Sequence, residues 1–153
     1  MEGRKHRRRG PLGPIVALAL LAGQAGILTA QAAPPVDSPG PPSGDGVIPV
    51  IADTQSSNDD CGRLGFDHGI SIASNSEASA DAMTVTATGY NSPTGFADWS
   101  STLPVHGVYV KGGPSGGDLF AYPAGDTGDH DLHTPQKPDG GYYSMSHLAI
   151  CWN

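Results

Sequence analysis

The chain is expected to fold as an all-β domain, an antiparallel β-sandwich of about seven short strands. Three observations predict this. Apolar and polar residues alternate at period two in several short runs, most clearly Met83-Thr84-Val85-Thr86-Ala87-Thr88. Glycine- and proline-rich turn signals separate those runs. No window carries an apolar stripe at helical spacing.

The first segment is set aside as a signal peptide, residues 1–32. Arg4, Lys5, Arg7, Arg8 and Arg9 form a cationic start, Ile15 to Leu28 an apolar stretch, and Ala30-Gln31-Ala32 a small-x-small cleavage site. The cut is placed between Ala32 and Ala33, which keeps Pro34 off the first mature position. A membrane anchor is the alternative, but the apolar stretch is short of the roughly 20 residues needed to span a bilayer. A twin-arginine signal would use Arg8-Arg9, but Gly10-Pro11-Leu12 continues it poorly. Residues 33–58 read as a proline- and glycine-rich spacer that buries too little surface to offset its ordering entropy. Within it Val47 to Ile51 is apolar enough for an edge strand, which Pro49 argues against, and Asp53 to Asp60 reads as loop.

Residues 59–153 then form one domain, near the usual size for a single core. Leu64-Gly65-Phe66 and Gly69-Ile70-Ser71-Ile72 read as strands around a bulge at Asp67-His68. Ser76 to Ala82 has room for one helical turn. Met83 to Thr88 is a strand with Met83, Val85 and Ala87 inward and its threonines outward. Phe96 to Trp99 follows. The central strand is Val105 to Lys111, with Val108 and Val110 on one face and Tyr109 and Lys111 on the other. Gly112-Gly113 ends it. Leu119 to Tyr122 and Met145 to Trp152 complete the set. Turns are expected at Asn91-Ser92-Pro93, Gly112-Gly113-Pro114, Pro123-Ala124-Gly125 and Pro138-Asp139-Gly140-Gly141.

Charge narrows the partners. The whole chain has eight Lys+Arg and fifteen Asp+Glu, net −7. Removing residues 1–32 leaves three basic and fourteen acidic side chains, hence −11. Arg63, Lys111 and Lys137 cannot neutralise a run of phosphates, so nucleic acid is not an expected partner. Stable membrane insertion after signal cleavage is not expected either. Cys61 and Cys151 are the only cysteines. An even count in an oxidising compartment predicts one disulfide tying the two ends of the domain. A shared metal site or two free buried thiols are the alternatives.

The chain also resembles a group of uncharacterised secreted bacterial β-rich domains. The resemblance runs from about Cys61 to Cys151. Its motifs are Thr84-Val85-Thr86, Phe96-x-x-Trp99-Ser100-Ser101, Val108-Tyr109-Val110-Lys111-Gly112-Gly113 and Leu119-Phe120-x-Tyr122. An acidic Asp126 to Asp131 loop, Leu132 and Pro135 follow, and Ser146-His147-Leu148-x-Ile150-Cys151 closes it. The resemblance implies a secreted β-rich module and supplies no catalytic residues.

Four constellations could carry chemistry. Asp126, Asp129 and Asp131, with Thr127 and backbone carbonyls, offer oxygen ligands to calcium, although the Gly is misplaced for an EF-hand and no Glu closes the loop. The alternative is a solvated acidic loop. His106, His130, His133 and His147 could assemble a zinc or copper site; structural histidines bonded to backbone are the competing reading. Tyr142 and Tyr143, with Trp99, Tyr109 and Tyr122, could stack against a sugar, or could serve the core. Gly113-Pro114-Ser115-Gly116-Gly117 matches G-x-S-x-G, but a strand follows where a nucleophile elbow needs a helix. The expectation is therefore a non-catalytic extracellular interaction or surface-associated module without a required cofactor, calcium remaining open. The alternatives are a carbohydrate-binding module, calcium-dependent or not, and a small serine hydrolase using Ser115. Its partner would be an extracellular protein or glycan.

Overall fold

A computed structural model describes residues 37–53, 60–90, 95–114 and 116–153. The signal segment, the Asn91-Ser92-Pro93 turn and Ser115 lie outside the described residues. Among the described residues seven strands and one short helix run in the order β1 Val50–Ala52, α1 Asp60–Leu64, β2 His68–Ile72, β3 Ser76–Ala80, β4 Met83–Thr88, β5 Phe96–Gly112, β6 Gly117–His133 and β7 Met145–Trp152. All strand pairings are antiparallel and join into one sheet, so the all-β expectation holds. Among the described residues no helix is long and apolar enough to cross a membrane.

The organising feature is a hairpin of two 17-residue strands, β5 and β6. β6 occupies one edge of β5 along its length. The other edge is shared: Asp98 to Ser101 pair with β4, and Gly107 to Gly112 pair with β7. One half of the hairpin thus carries β4 and β3; the other carries β7 and β2, with β1 on the outer edge of β6. The β5–β6 register shifts between Ser100 and Val105 and again before Gly107. Such irregularities bend a strand pair. Here the bend is large. Asp118 and His133 stand at opposite ends of β6, and a straight strand would hold them about 50 Å apart. Their side chains approach to 3.1 Å. The sheet is folded over on itself, and its two halves face one another as the layers of a sandwich do.

The enclosed core follows from the alternation. Met83, Val85 and Ala87 of β4, Ala97, Trp99, Val108 and Val110 of β5, Phe120 and Leu132 of β6, and Leu148, Ile150 and Trp152 of β7 form one buried cluster. The intervening residues serve a second cluster on the far face: Tyr109, Ala149, Cys61 and Cys151, with Leu64 and Phe66 packed against them. Lys111 lies over the Tyr109 ring at 5.7 Å. The predicted facing of the central strand and of β4 is therefore observed, and Cys151 likewise faces opposite to Ile150 and Trp152.

Cys61 and Cys151 are joined, with Cα atoms 5.4 Å apart. Cys61 lies on α1, and the bridge fastens this helix to the last strand. Gly69, opposite Cys151 in the β2–β7 register, makes the room: a Cβ there would fall 2.3 Å from the Cys61 sulfur.

Several expectations are corrected. Leu64 ends α1 and Gly65 turns the chain with φ of 91°, so no strand runs through Leu64-Gly65-Phe66. Ser76 to Ala82 makes no helical turn. It supplies β3 and a two-residue hairpin, Asp81-Ala82, both at positive φ. Two positive φ values match the twist of the flanking strands. Phe96 to Trp99 and the Val105 run are one strand. The acidic 126–131 stretch is strand too, paired with Trp99, Ser100 and Val105. Pro123-Ala124-Gly125 marks a bend within β6 rather than its end.

The largest correction concerns the spacer. Residues 37–52 are built into the domain, antiparallel to the outer edge of β6 and its continuation. Ser38 bridges Gln136 through two backbone bonds, the Gly44 N–H donates to the His130 carbonyl at 2.8 Å, and β1 pairs with Gly117 to Leu119. The physical reason is the sheet edge: unpaired N–H and C=O groups along β6 need partners, and this segment provides them. The edge strand suggested at Val47 to Ile51 is present as β1, Val50–Ala52, despite Pro49, whereas residues 38–44 join by backbone, so a search for apolar side chains does not find them.

Candidate functional site

The polar groups that matter gather beneath residues 37–47, hereafter the strap. The first is a buried pair. His133 and Asp118 have fully buried side chains, with Nδ1 and Oδ2 3.1 Å apart. His133 Nδ1 also lies 3.0 Å from the Thr134 carbonyl, and Nε2 lies 2.8 Å from the Pro41 carbonyl on the strap. A carbonyl only accepts, so both contacts are hydrogen bonds at once only in the doubly protonated ring, the imidazolium. Neither Asp118 oxygen has a hydrogen-bond donor among the described residues. The contact with His133 is a charge contact, since the Nδ1 hydrogen is aimed at Thr134. Burial by itself would lower the His133 pKa; Asp118, then the Pro41 and Thr134 carbonyls, outweigh it and hold it above 6.5. Phe96, Phe120 and Tyr142 surround the imidazole at centroid distances of 5.9, 5.4 and 4.9 Å.

The second centre is Asp129, whose carboxylate is buried. Oδ2 accepts the Tyr122 hydroxyl at 2.8 Å, and Trp99 Nε1 reaches that hydroxyl at 3.4 Å. Oδ1 accepts the backbone N–H of His130 at 2.7 Å and of Asp45, on the strap, at 3.1 Å. Burial pushes the Tyr122 phenol far up, so it remains a neutral donor. Replacing Tyr122 by Phe should cost about 1–3 kcal/mol, because it strips a buried carboxylate oxygen of its donor. Urea melts at neutral pH would measure this, and an unchanged midpoint would count against the network.

The predicted calcium ligands do not converge. Asp129 is spent as described. Asp126 is exposed and turned back onto the N–H of Thr127, while Asp131 is exposed with its N–H donated to Asp98. Asp126 and Asp129 are an odd number of positions apart and project to opposite faces, and the regular alternation is broken at Asp131, where φ is 58°. One trio among the described residues has ligand atoms within 4.8 Å of one another: Asp45, Asp129 and His130. A histidine with two carboxylates suits zinc more than calcium. Sequence reading missed Asp45 because it lay in the supposed spacer.

The histidines are dispersed. His106 Nδ1 accepts from the Asn153 N–H at 3.4 Å. His130 stands 3.7 Å from Asp45. His147 pairs through Nε2 with the buried Asp60 of α1 at 2.5 Å and through Nδ1 with Ser146 Oγ at 3.2 Å. Its partners are side chains, not backbone. Tyr142 and Tyr143 are half-buried. Tyr142 packs on His133 and Phe96, and the Tyr143 hydroxyl donates to Asp37 at 2.8 Å with Lys137 over its ring. Trp99 and Tyr122 belong to the core, and Tyr109 to the disulfide face. Large exposed apolar side chains occur instead at Ile48, Val50 and Leu103.

The chain matches no protein-family model, no curated protein and no solved structure.

Proposed function

We propose that the chain is a secreted, non-catalytic interaction module that engages an extracellular protein through the edge around β1. The observation that carries this reading is the exposure of Val50 on β1 and of Ile48 just before it, 54% and 74% accessible, where β1 pairs with β6 alone among the described strands. An edge strand offers backbone hydrogen bonds to an added strand, and apolar side chains beside it give the contact energy and specificity. The signal-like start, the disulfide and the acidic mature chain support export. The clustered polar side chains serve the interior of the fold, which supports a non-catalytic role. A glycan-binding role would rest on Tyr142 and Tyr143, whose rings are engaged within the domain, so the protein partner is preferred.

The test places a photo-crosslinking side chain at Val50, or at Glu77 on β3 as control, in the full chain made by its own cells. A discrete extracellular adduct from position 50 and none from position 77 is the expected result. Equal labelling from both positions, or none from either, would remove the reading.

A further inference from the structure

We propose that the strap, residues 37–47, is a pH-gated cover over the outer edge of β6, held closed by the doubly protonated ring of His133 and lifted when that ring gives up a proton.

The strap is attached by polar contacts. Between Asp37 and Gly46 its composition is proline, glycine, serine and aspartate, and Val47 is only partly buried. It is held at Asp37 by Tyr143, at Ser38 by Gln136, at Gly44 by the His130 carbonyl, at Asp45 by Asp129, and at Pro41 by His133. Two of these, at Asp45 and at Pro41, are made to buried charged groups, and such bonds are the strong ones. The fit at this point is close. Gly40 crosses the imidazole face so tightly that a Cβ there would lie 2.4 Å from Cε1.

Loss of a proton has a defined local result. A neutral imidazole keeps one N–H. Nδ1 faces both the Asp118 carboxylate and the Thr134 carbonyl, and this pair of acceptors retains the proton. Nε2 is therefore the nitrogen that loses it, and its lone pair then faces the Pro41 carbonyl at 2.8 Å. Attraction becomes repulsion at the central contact of the strap. The titratable groups facing the ring are Asp118 of β6 and Tyr142 of the segment before β7; β5 contributes Phe96 and the strap Pro41. Burial and Asp118 push the Tyr142 phenol upward, so it stays neutral in this range. The folded-state value for His133 lies above the ordinary 6.5. The latch is therefore fully formed below that value and is lost as pH rises through the folded value. Opening bares the His130 carbonyl and the Asp129 carboxylate on the β6 edge, which Gly44 and Asp45 now cover.

Hydrogen exchange of the full mature chain, followed residue by residue from pH 6 to 9 and corrected for intrinsic rates, tests this. Protection of the Ser38, Gly44, Asp45 and Gln136 amides should fall about tenfold or more while the β5–β7 amides hold. The same loss should coincide with the titration of the His133 ring nitrogens seen by NMR. In His133→Gln the pH dependence should vanish. Gly40→Ala leaves the buried pair in place and should unprotect the strap at every pH, and it serves if the first variant does not fold. Strap protection that stays constant across this range in the native chain would overturn the proposal. So would a ring titration that does not coincide with opening.

Discussion

Replacing Cys61 or Cys151 by serine is expected to lower stability by about 4 to 5 kcal/mol, the loop-closure value for a bridge spanning 90 residues. That is a large part of the roughly 5 to 15 kcal/mol a domain possesses. Three features concentrate the effect. Residues 33–153 carry three basic and fourteen acidic side chains, net −11, and repel one another. The bridge fastens α1, a helix of five residues with no stability of its own, to β7. Both sulfurs also sit in a buried cluster with Tyr109 and Ala149, so a serine there places a hydroxyl among apolar groups. The double variant should be no worse than either single one, because both break the same covalent constraint. Chemical denaturation alongside a free-thiol count decides the matter. Two alkylatable thiols in native oxidised protein, or serine variants that melt with the parent, would contradict it.

Asp118→Ala should be comparably damaging, by about 3 to 5 kcal/mol, since it leaves an imidazolium fully buried without its counter-charge. The pair sits where the two halves of the folded sheet meet, so its loss weakens the closure of the sandwich as well as a local contact. Replacing both members by leucine should cost less than the sum of the single changes. A buried pair contributes little net energy once desolvation is counted, whereas an orphaned charge is expensive. A double-mutant cycle at pH 6 measures the coupling. Additive single losses would mean that the two groups do not act as a pair.

Strand positions and facing were legible wherever alternation was clean. Met83 to Thr88 and Val108 to Lys111 place every apolar residue on the side where it is found, while the irregularity before Gly107 brings Val105 to the face of Val108 and Val110. The disulfide was legible from count and compartment. What escaped was everything decided by backbone. Residues 37–47 contain little that a core would want, and they join the sheet by hydrogen bonds that glycine and proline do not advertise. The Asp81-Ala82 hairpin has no glycine to announce its positive φ values. The Asp126 to Asp131 stretch reads as loop because acidic residues are poor strand formers, yet β5 supplies its pairing. The Asp118–His133 pair was invisible for a different reason. Only the folding of β6 back on itself brings residues from its two ends together, and no spacing rule contains that bend.

The disulfide also divides the chain topologically. Residues 61–151 form a closed covalent ring, and the strap and β1 precede it as an open tail. One peptide cut anywhere inside the ring leaves both products attached until a reductant is added. One cut between Asp53 and Asp60 separates the tail outright, although that tail supplies the outermost strand of the sheet. Sulfur thus secures the folded sheet against nicking, while the piece that covers its exposed edge is kept by hydrogen bonds, two of them to buried charged groups. A protease acting on that short connection would convert the closed domain irreversibly into one with a bare strand on offer.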